Sequence, residues 1–191
     1  MHVKGLELPG YEPRSLKTMA LGLAVSPRGA CHNRSGAYEA DFSGEVDRLT
    51  TDGRRGMLVA ASEDFSAVLD SLIVCKFLRK CFTDFYAEAA ELMSRVTGWS
   101  YSAEELKRTG ERIHTLKKLF NVREGWKPDD DWLPPRLLKE VLPTGVAEGV
   151  GLTERELRDM LQSYYQARGW DENGFIPKQK LRELSIPISN F

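Results

Sequence analysis

Asp70 and Cys75 stand five positions apart in the run Asp70-Ser71-Leu72-Ile73-Val74-Cys75-Lys76-Phe77. A carboxylate set in an apolar stretch needs a dedicated partner, because burying it unpaired costs several kcal/mol. Asp70 either caps a helix start on backbone N–H groups or accepts hydrogen bonds from a ligand. Cys75 either packs as a small hydrophobe or ligates a metal as a thiolate. Its six-residue offset from Cys81 fits no common zinc or iron–sulfur pattern, and three cysteines cannot make a four-cysteine site. A second cluster is Arg28-Gly29-Ala30-Cys31-His32-Asn33-Arg34. A glycine turn between two arginines presents donors to an anion such as a phosphate. His32 between them could act as acid or base near neutral pH. The alternative is a helix-ending turn with solvated arginines and a hydrogen-bonded histidine.

Other conspicuous residues point less to chemistry. His114 lies among Arg112, Lys117 and Lys118 and is expected at the surface, while His2 says little. The run Asp129-Asp130-Asp131 lacks the glycine and terminal glutamate of a calcium loop and reads as a solvated turn. Trp99, Trp126, Trp132 and Trp170 stand beside glycines or acidic residues and read as packing anchors for connections, not as a base-stacking platform. No phosphate loop, dinucleotide glycine fingerprint or nucleophile elbow is present.

The elements that must hold these residues are helical. Leu16, Met19, Ala20, Leu23 and Ala24 recur at helical spacing from a start near Arg14 or Ser15, and Ser26-Pro27 stops that helix. Ala30 to Gly36 reads as a tight connection, with polar sequence following as far as Arg55. A helix is expected up to about Glu63, then a buried turn or short helix over Asp70–Phe77. Thr83–Val96 forms another, with Phe85, Ala89, Leu92, Met93 and Val96 on one side. Ser102 with Glu105 gives a capping box before a long amphipathic helix carrying Leu106, Ile113, Leu116, Leu119 and Phe120. Residues 125–151 read as a long surface connection. Thr153 with Glu156 opens a helix whose inward face is Leu157, Met160, Leu161, Tyr164 and Tyr165, and Gly169 ends it. A last short helix covers Pro177–Leu184. No strand alternation persists, so the fold class is all-α, as one unit or two closely packed helical subdomains meeting near 97–103.

Composition removes several functions. The 191 residues carry 27 Lys+Arg against 28 Asp+Glu, for a net charge of −1, which lacks the basic footprint of a nucleic-acid binder. Cations and acids interleave, so there is no polybasic membrane patch. The longest apolar stretches, Met19–Val25 and Ala67–Val74, fall far short of the roughly 20 residues that span a bilayer. The first residues lack the apolar core of a signal peptide, and three cysteines cannot pair completely, so a reducing, cytoplasmic setting is expected.

In order along the chain, the segments resemble the C-terminal part of the tungsten-dependent aldehyde ferredoxin oxidoreductase family. The resemblance runs from His2-Val3-Lys4-Gly5-Leu6-Glu7-Leu8-Pro9 and Tyr11-Glu12-Pro13-Arg14, where the family usually has aspartate at Glu12, through Ser26–His32 and Asp70–Phe77. It continues in Leu119–Gly125, Leu133-Pro134-Pro135-Arg136, Tyr164-Tyr165 and Arg168-Gly169-Trp170-Asp171-Glu172-Asn173-Gly174. It implies an irregular multi-helix fold and a site at a tungsten or molybdenum bis-pterin and a [4Fe–4S] cluster. Cys75 matches the fourth cluster thiolate, the other three belonging to an upstream Cys-x-x-Cys-x-x-x-Cys. Asp70 matches a carboxylate that hydrogen-bonds a pterin, and Val74 a residue that does so through its backbone. Arg34 falls at a basic residue contacting the cofactor, and His32 at the histidine beside the metal, for proton transfer or for orienting the aldehyde carbonyl. Arg28 takes no role.

The implied reaction is oxidation of a small aldehyde with water to a carboxylic acid, the electrons leaving through the cluster to ferredoxin. The cofactor performs the hard chemistry and the protein orients it. The family's N-terminal β-rich pterin domain and its three other cluster cysteines lie outside these residues. The chain by itself is therefore expected to bind no complete cofactor, to be inactive, and to expose apolar surface around Ala67–Phe77 unless an N-terminal domain or subunit covers it. Two other readings are reduction of an aromatic ring in a thioester and a non-catalytic helical interaction or remnant domain.

Overall fold

The computed structural model describes residues 1–187. The regular secondary structure of the described residues is almost entirely helical: α1 (Lys17–Val25), α2 (His32–Ser35), α3 (Tyr38–Ser43), α4 (Arg55–Ser71), α5 (Phe85–Thr97), α6 (Ala103–Arg123), α7 (Pro135–Lys139), α8 (Glu154–Arg168) and α9 (Lys178–Glu183). The exception is a minimal antiparallel hairpin, β1 (His2–Val3) and β2 (Leu6–Glu7). Among the described residues no helix is long and apolar enough to cross a membrane.

Helix α1 is buried along its whole length, as expected of a helix that is apolar on all sides. It begins at Lys17, two to three residues later than the periodicity suggests. Its first free N–H groups are satisfied from elsewhere: Asp41 on α3 accepts from Thr18 N at 3.1 Å and Met19 N at 2.9 Å. Arg55, fully buried at the start of α4, pairs with Asp41 at 3.0 Å and donates to the carbonyls of Asp47 and Thr50. Polar residues that looked like loop over 36–54 thus include a short helix that caps α1.

Helix α4 is the hub, packing against α1, α2, α6 and α8. It runs unbroken to Ser71, where the sequence suggested an end near Glu63. Its first half joins the core formed with α1, α7 and α8, and its second half joins Phe85, Ala89 and Leu106 of α5 and α6. Close approach is achieved by glycine. A Cβ on Gly110 of α6 would collide with the Asp64 backbone, and one on Gly56 of α4 with the backbone at Ser163 and Tyr164 of α8.

Three expectations change here. His114 is 3% exposed, not superficial, because it lies one turn beyond Gly110 on the stripe that α6 turns toward α4. Its Nδ1 lies 3.7 Å from the fully buried Glu63 carboxylate. Glu63 also accepts from Tyr164 Oη at 2.6 Å and Arg168 Nη2 at 2.7 Å, and Arg168 Nη1 reaches Asp64 at 2.6 Å. Asp131 is likewise 1% exposed, since the 125–151 connection folds back over α6 and α8 with Leu133 and Leu137 inside. It accepts from Lys118 Nζ, Trp126 Nε1 and Tyr165 Oη at 3.0, 3.0 and 2.9 Å, and pairs with Lys4 at 2.7 Å. Burial pushes the Lys118 ammonium down to about 8. Finally, Leu92, Val96 and Trp99 are exposed, because α5 meets its neighbours through its first turns, by Phe85, Tyr86, Ala89 and Ala90.

Replacing Arg168 with Met strands two carboxylates in the interior and should cost about 3–5 kcal/mol in urea unfolding. A loss under about 1 kcal/mol would mean that water already reaches this cluster.

Candidate functional site

The C-terminus of α4 is a chain reversal of Schellman type. Ile73 N donates to Asp70 O at 3.2 Å and Val74 N to Leu69 O at 3.3 Å. The left-handed position of this turn, usually glycine, is Ile73 at φ 57°, with its side chain 91% exposed. A β-branched residue there is strained. The reversal turns the chain back so that Cys75, which opens the 3-10 turn Lys76–Lys80, stands beside Asp70. The run expected as a buried turn is therefore an exposed one: Ala67 to Leu69 are buried, whereas Ile73, Cys75 and Phe77 face out.

The opposing wall is the turn after α1. Lys4, on the N-terminal hairpin, donates to the carbonyls of Ala24 at 2.5 Å and Ser26 at 3.2 Å, tying down the end of α1. Gly29 has φ 93° and a Cβ there would strike the Val3 carbonyl, so this position admits only glycine. The chain then enters α2, a helical turn where a plain connection was expected, and α2 presents His32 and Arg34.

These two turns enclose a cavity of about 550 Å³ lined by His32, Arg34, Asp70 and Cys75, together with Tyr11, Arg28, Tyr38, Lys76 and Arg79. Arg34 Nη1 lies 2.5 Å from Asp70 Oδ2 and Lys76 Nζ 3.3 Å from Asp70 Oδ1. Asp70 is thus a paired carboxylate at a helix C-terminus, not a helix-start cap. Arg79 pairs with Glu39. Four cations against one carboxylate in the wall make the cavity electropositive although the whole chain is near neutral. His32 packs against Tyr11 at 5.3 Å between ring centroids, and Tyr11 stacks on Tyr38 at 5.0 Å. Burial, with Lys76 and Arg28 adding positive charge, holds the His32 imidazole below its usual pKa.

Four of the five residues singled out from the sequence therefore meet in one cavity. Val74 does not line it: its side chain packs into the α4–α5–α6 core and its N–H is used by Leu69, leaving the carbonyl as its free backbone group. Lys76 and Arg79 follow Cys75 directly and were legible as basic residues beside the motif. Tyr11 and Tyr38 carried no local signal. Among the described residues no cluster of three or more His, Cys, Asp or Glu is placed to hold a metal; Cys75 and Cys81 are both free, exposed thiols, and of the two only Cys75 lines the cavity.

Comparison with known proteins gives a consistent family. The family model for aldehyde ferredoxin oxidoreductase, domains 2 and 3, matches residues 1–186. The tungsten-containing aldehyde ferredoxin oxidoreductase of Pyrococcus furiosus is 37% identical over 194 residues, covering 97% of this chain and 31% of that enzyme. The enzyme of the same name from Thermococcus kodakarensis is 34% identical over 193 residues, with 97% and 31% covered. An aliphatic sulfonate oxidoreductase, WOR-like subunit, of Pyrococcus furiosus is 28% identical over 194 residues, with 97% and 28% covered. The chain spans under a third of the length of these relatives.

Two outcomes follow from this geometry. Ile73→Gly should raise stability by about 1 kcal/mol by relieving the left-handed strain; a loss of that size would show that the isoleucine contributes packing. In an NMR titration His32 should protonate below its usual 6.5, and Lys76→Gln should move the midpoint up, because one fewer cation opposes the imidazolium. A wild-type midpoint at or above 6.5 contradicts the burial described here.

Proposed function

The chain belongs to the aldehyde ferredoxin oxidoreductase family, and from that premise we propose that it is the C-terminal portion of an enzyme oxidising an aldehyde to a carboxylic acid. The observation that carries this reading is the convergence of His32, Arg34, Asp70 and Cys75 on one electropositive cavity from two separate chain reversals.

The residues fit the cofactor set that the relatives' names and the motif suggest. A pterin bearing a phosphate is anionic at one end and offers N–H donors at the other. Arg34 and Lys76 suit the first, and the Asp70 carboxylate and Val74 carbonyl suit the second. Cys75, exposed at the rim, supplies one thiolate to a [4Fe–4S] cluster, and the remaining three come from an N-terminal complement. When bound, the tungsten bis-pterin supplies the two-electron chemistry that no side chain here can perform.

The chain's own groups then have separate tasks. Arg34 holds the Asp70 carboxylate in place at 2.5 Å and keeps it aimed. The neutral imidazole of His32 takes one of the two protons released when aldehyde and water become acid. Tyr11 and Tyr38 fix the ring plane and keep water from one face of it. Cys75 starts the electron path toward ferredoxin. The acid, two protons and two electrons account for the aldehyde and water consumed.

The test is anaerobic co-production with an N-terminal complement carrying Cys-x-x-Cys-x-x-x-Cys, read by cluster EPR, bound pterin and aldehyde-dependent viologen reduction. Cys75→Ser should abolish the intact cluster signal, and Asp70→Asn should lower bound pterin by about 10–100-fold. Both variants should leave the helical circular dichroism of the chain unchanged. An undiminished cluster in Cys75→Ser sinks the reading.

A further inference from the structure

Beside the site cavity lies a second cleft, of about 490 Å³, that the reading above leaves without a role. Its floor is the Ser26–Gly29 turn, pinned by Asn121 Nδ2 donating to the Pro27 carbonyl at 2.6 Å. Its far wall is the C-terminal half of α6, where Leu116 and Phe120 are one turn apart and exposed, with Lys117 between them in sequence. Leu116 at 38% and Phe120 at 51% exposure form an apolar ridge open to solvent.

The charge of this cleft is one-sided. Arg28, Arg34 and Lys117 line it and no carboxylate does. Arg34 is committed to Asp70, but among the described residues neither Arg28 nor Lys117 has a carboxylate within ion-pair distance. Lys117 is half-buried; burial and the charges of Arg34 and Lys76 disfavour its ammonium, while Asp70 and Glu63 offset them from outside the cleft lining. An apolar ridge beside unneutralised cations selects a molecule with an anionic head and an apolar body. A planar carboxylate matches the fork of a guanidinium, whereas a phosphate has no body to cover the ridge. Arg28 also lines the site cavity, so the two spaces share a wall.

We propose that this cleft binds an apolar-bodied monocarboxylate, the acid product of the reaction, with its head between Arg28 and Lys117 and its body on Leu116 and Phe120. The identity of the ligand as product rests on the functional reading above; binding itself does not. The cleft would favour aldehydes with an apolar tail and make their acids product inhibitors.

The experiment is calorimetric titration of the 191-residue chain with 3-phenylpropionate, acetate and inorganic phosphate. 3-Phenylpropionate should bind at least about tenfold tighter than acetate, reflecting burial of its ring. The Arg28→Gln/Lys117→Gln variant should lose about tenfold or more for either carboxylate. Phe120→Ser should weaken 3-phenylpropionate and leave acetate unchanged. Phosphate binding tighter than both carboxylates, or affinities indifferent to these substitutions, overturns the proposal. An active complemented enzyme whose chain ignores the acid refutes the cleft alone; a binding chain whose complemented enzyme ignores aldehydes refutes the reaction alone.

Discussion

The ion cluster of Glu63, Asp64 and Arg168 is the constraint on which the rest of the structure hangs. Glu63 and Arg168 are at most 1% exposed, lie 105 positions apart in sequence, and join α4 to α8. Taking both charges out of water costs several kcal/mol per ion, which their attraction offsets only with good geometry and further hydrogen bonds. The Tyr164 hydroxyl and the Ala60 carbonyl supply those bonds, at 2.6 and 3.1 Å. A slip of one residue between α4 and α8 would strand a charge, so the cluster sets register. Gly56 and Gly110 complete the effect by letting α8 and α6 touch the backbone of α4. With α4 held from both sides, the position of Asp70, two turns beyond Glu63, is decided as well.

The cavity walls are locked by devices that do not depend on one another. On one side a Schellman reversal brings Cys75 round to Asp70 at the expense of a strained isoleucine. On the other, Lys4 holds the end of α1 while its partner Asp131 is itself gripped by Lys118, Trp126 and Tyr165. The N-terminal hairpin is only two residues per strand, yet through Lys4 and the Val3–Gly29 approach it fixes where His32 enters the cavity. Strain on one wall and a buried carboxylate on the other are features that a fold retains when geometry at the site matters more than stability.

Charge distribution, not net charge, sets what the molecule attracts. A chain at −1 overall gathers Arg28, Arg34, Lys76 and Arg79 around one carboxylate, while many of its remaining ion pairs lie on exposed helix surfaces. Those surface pairs contribute little. The cavity and the adjoining cleft, with fewer carboxylates than cations, are where an anion gains most.

Local patterns in the sequence determined a good deal. The Thr153–Glu156 capping box forms reciprocally, with N–H bonds of 2.7 and 3.2 Å. The inward face of α8, its Gly169 stop and the Ser102 cap on Glu105 N are all present, because each rests on residues within a turn or two of one another; the family was legible from motifs that recur in order along the chain. Of the site, the two motifs were legible as motifs. Their meeting in one cavity was not, nor were Tyr11 and Tyr38. Tertiary structure alone decided the fate of charged residues. His114 and Asp131 look like solvent-facing groups beside charged neighbours, yet both are buried with distant partners among those they meet, Glu63 for His114 and Tyr165 and Lys4 for Asp131. A helix pattern reports which backbone bonds a segment can make with itself. Whether a charge can leave water depends on a counter-charge arriving from another helix, and no spacing within the segment carries that information.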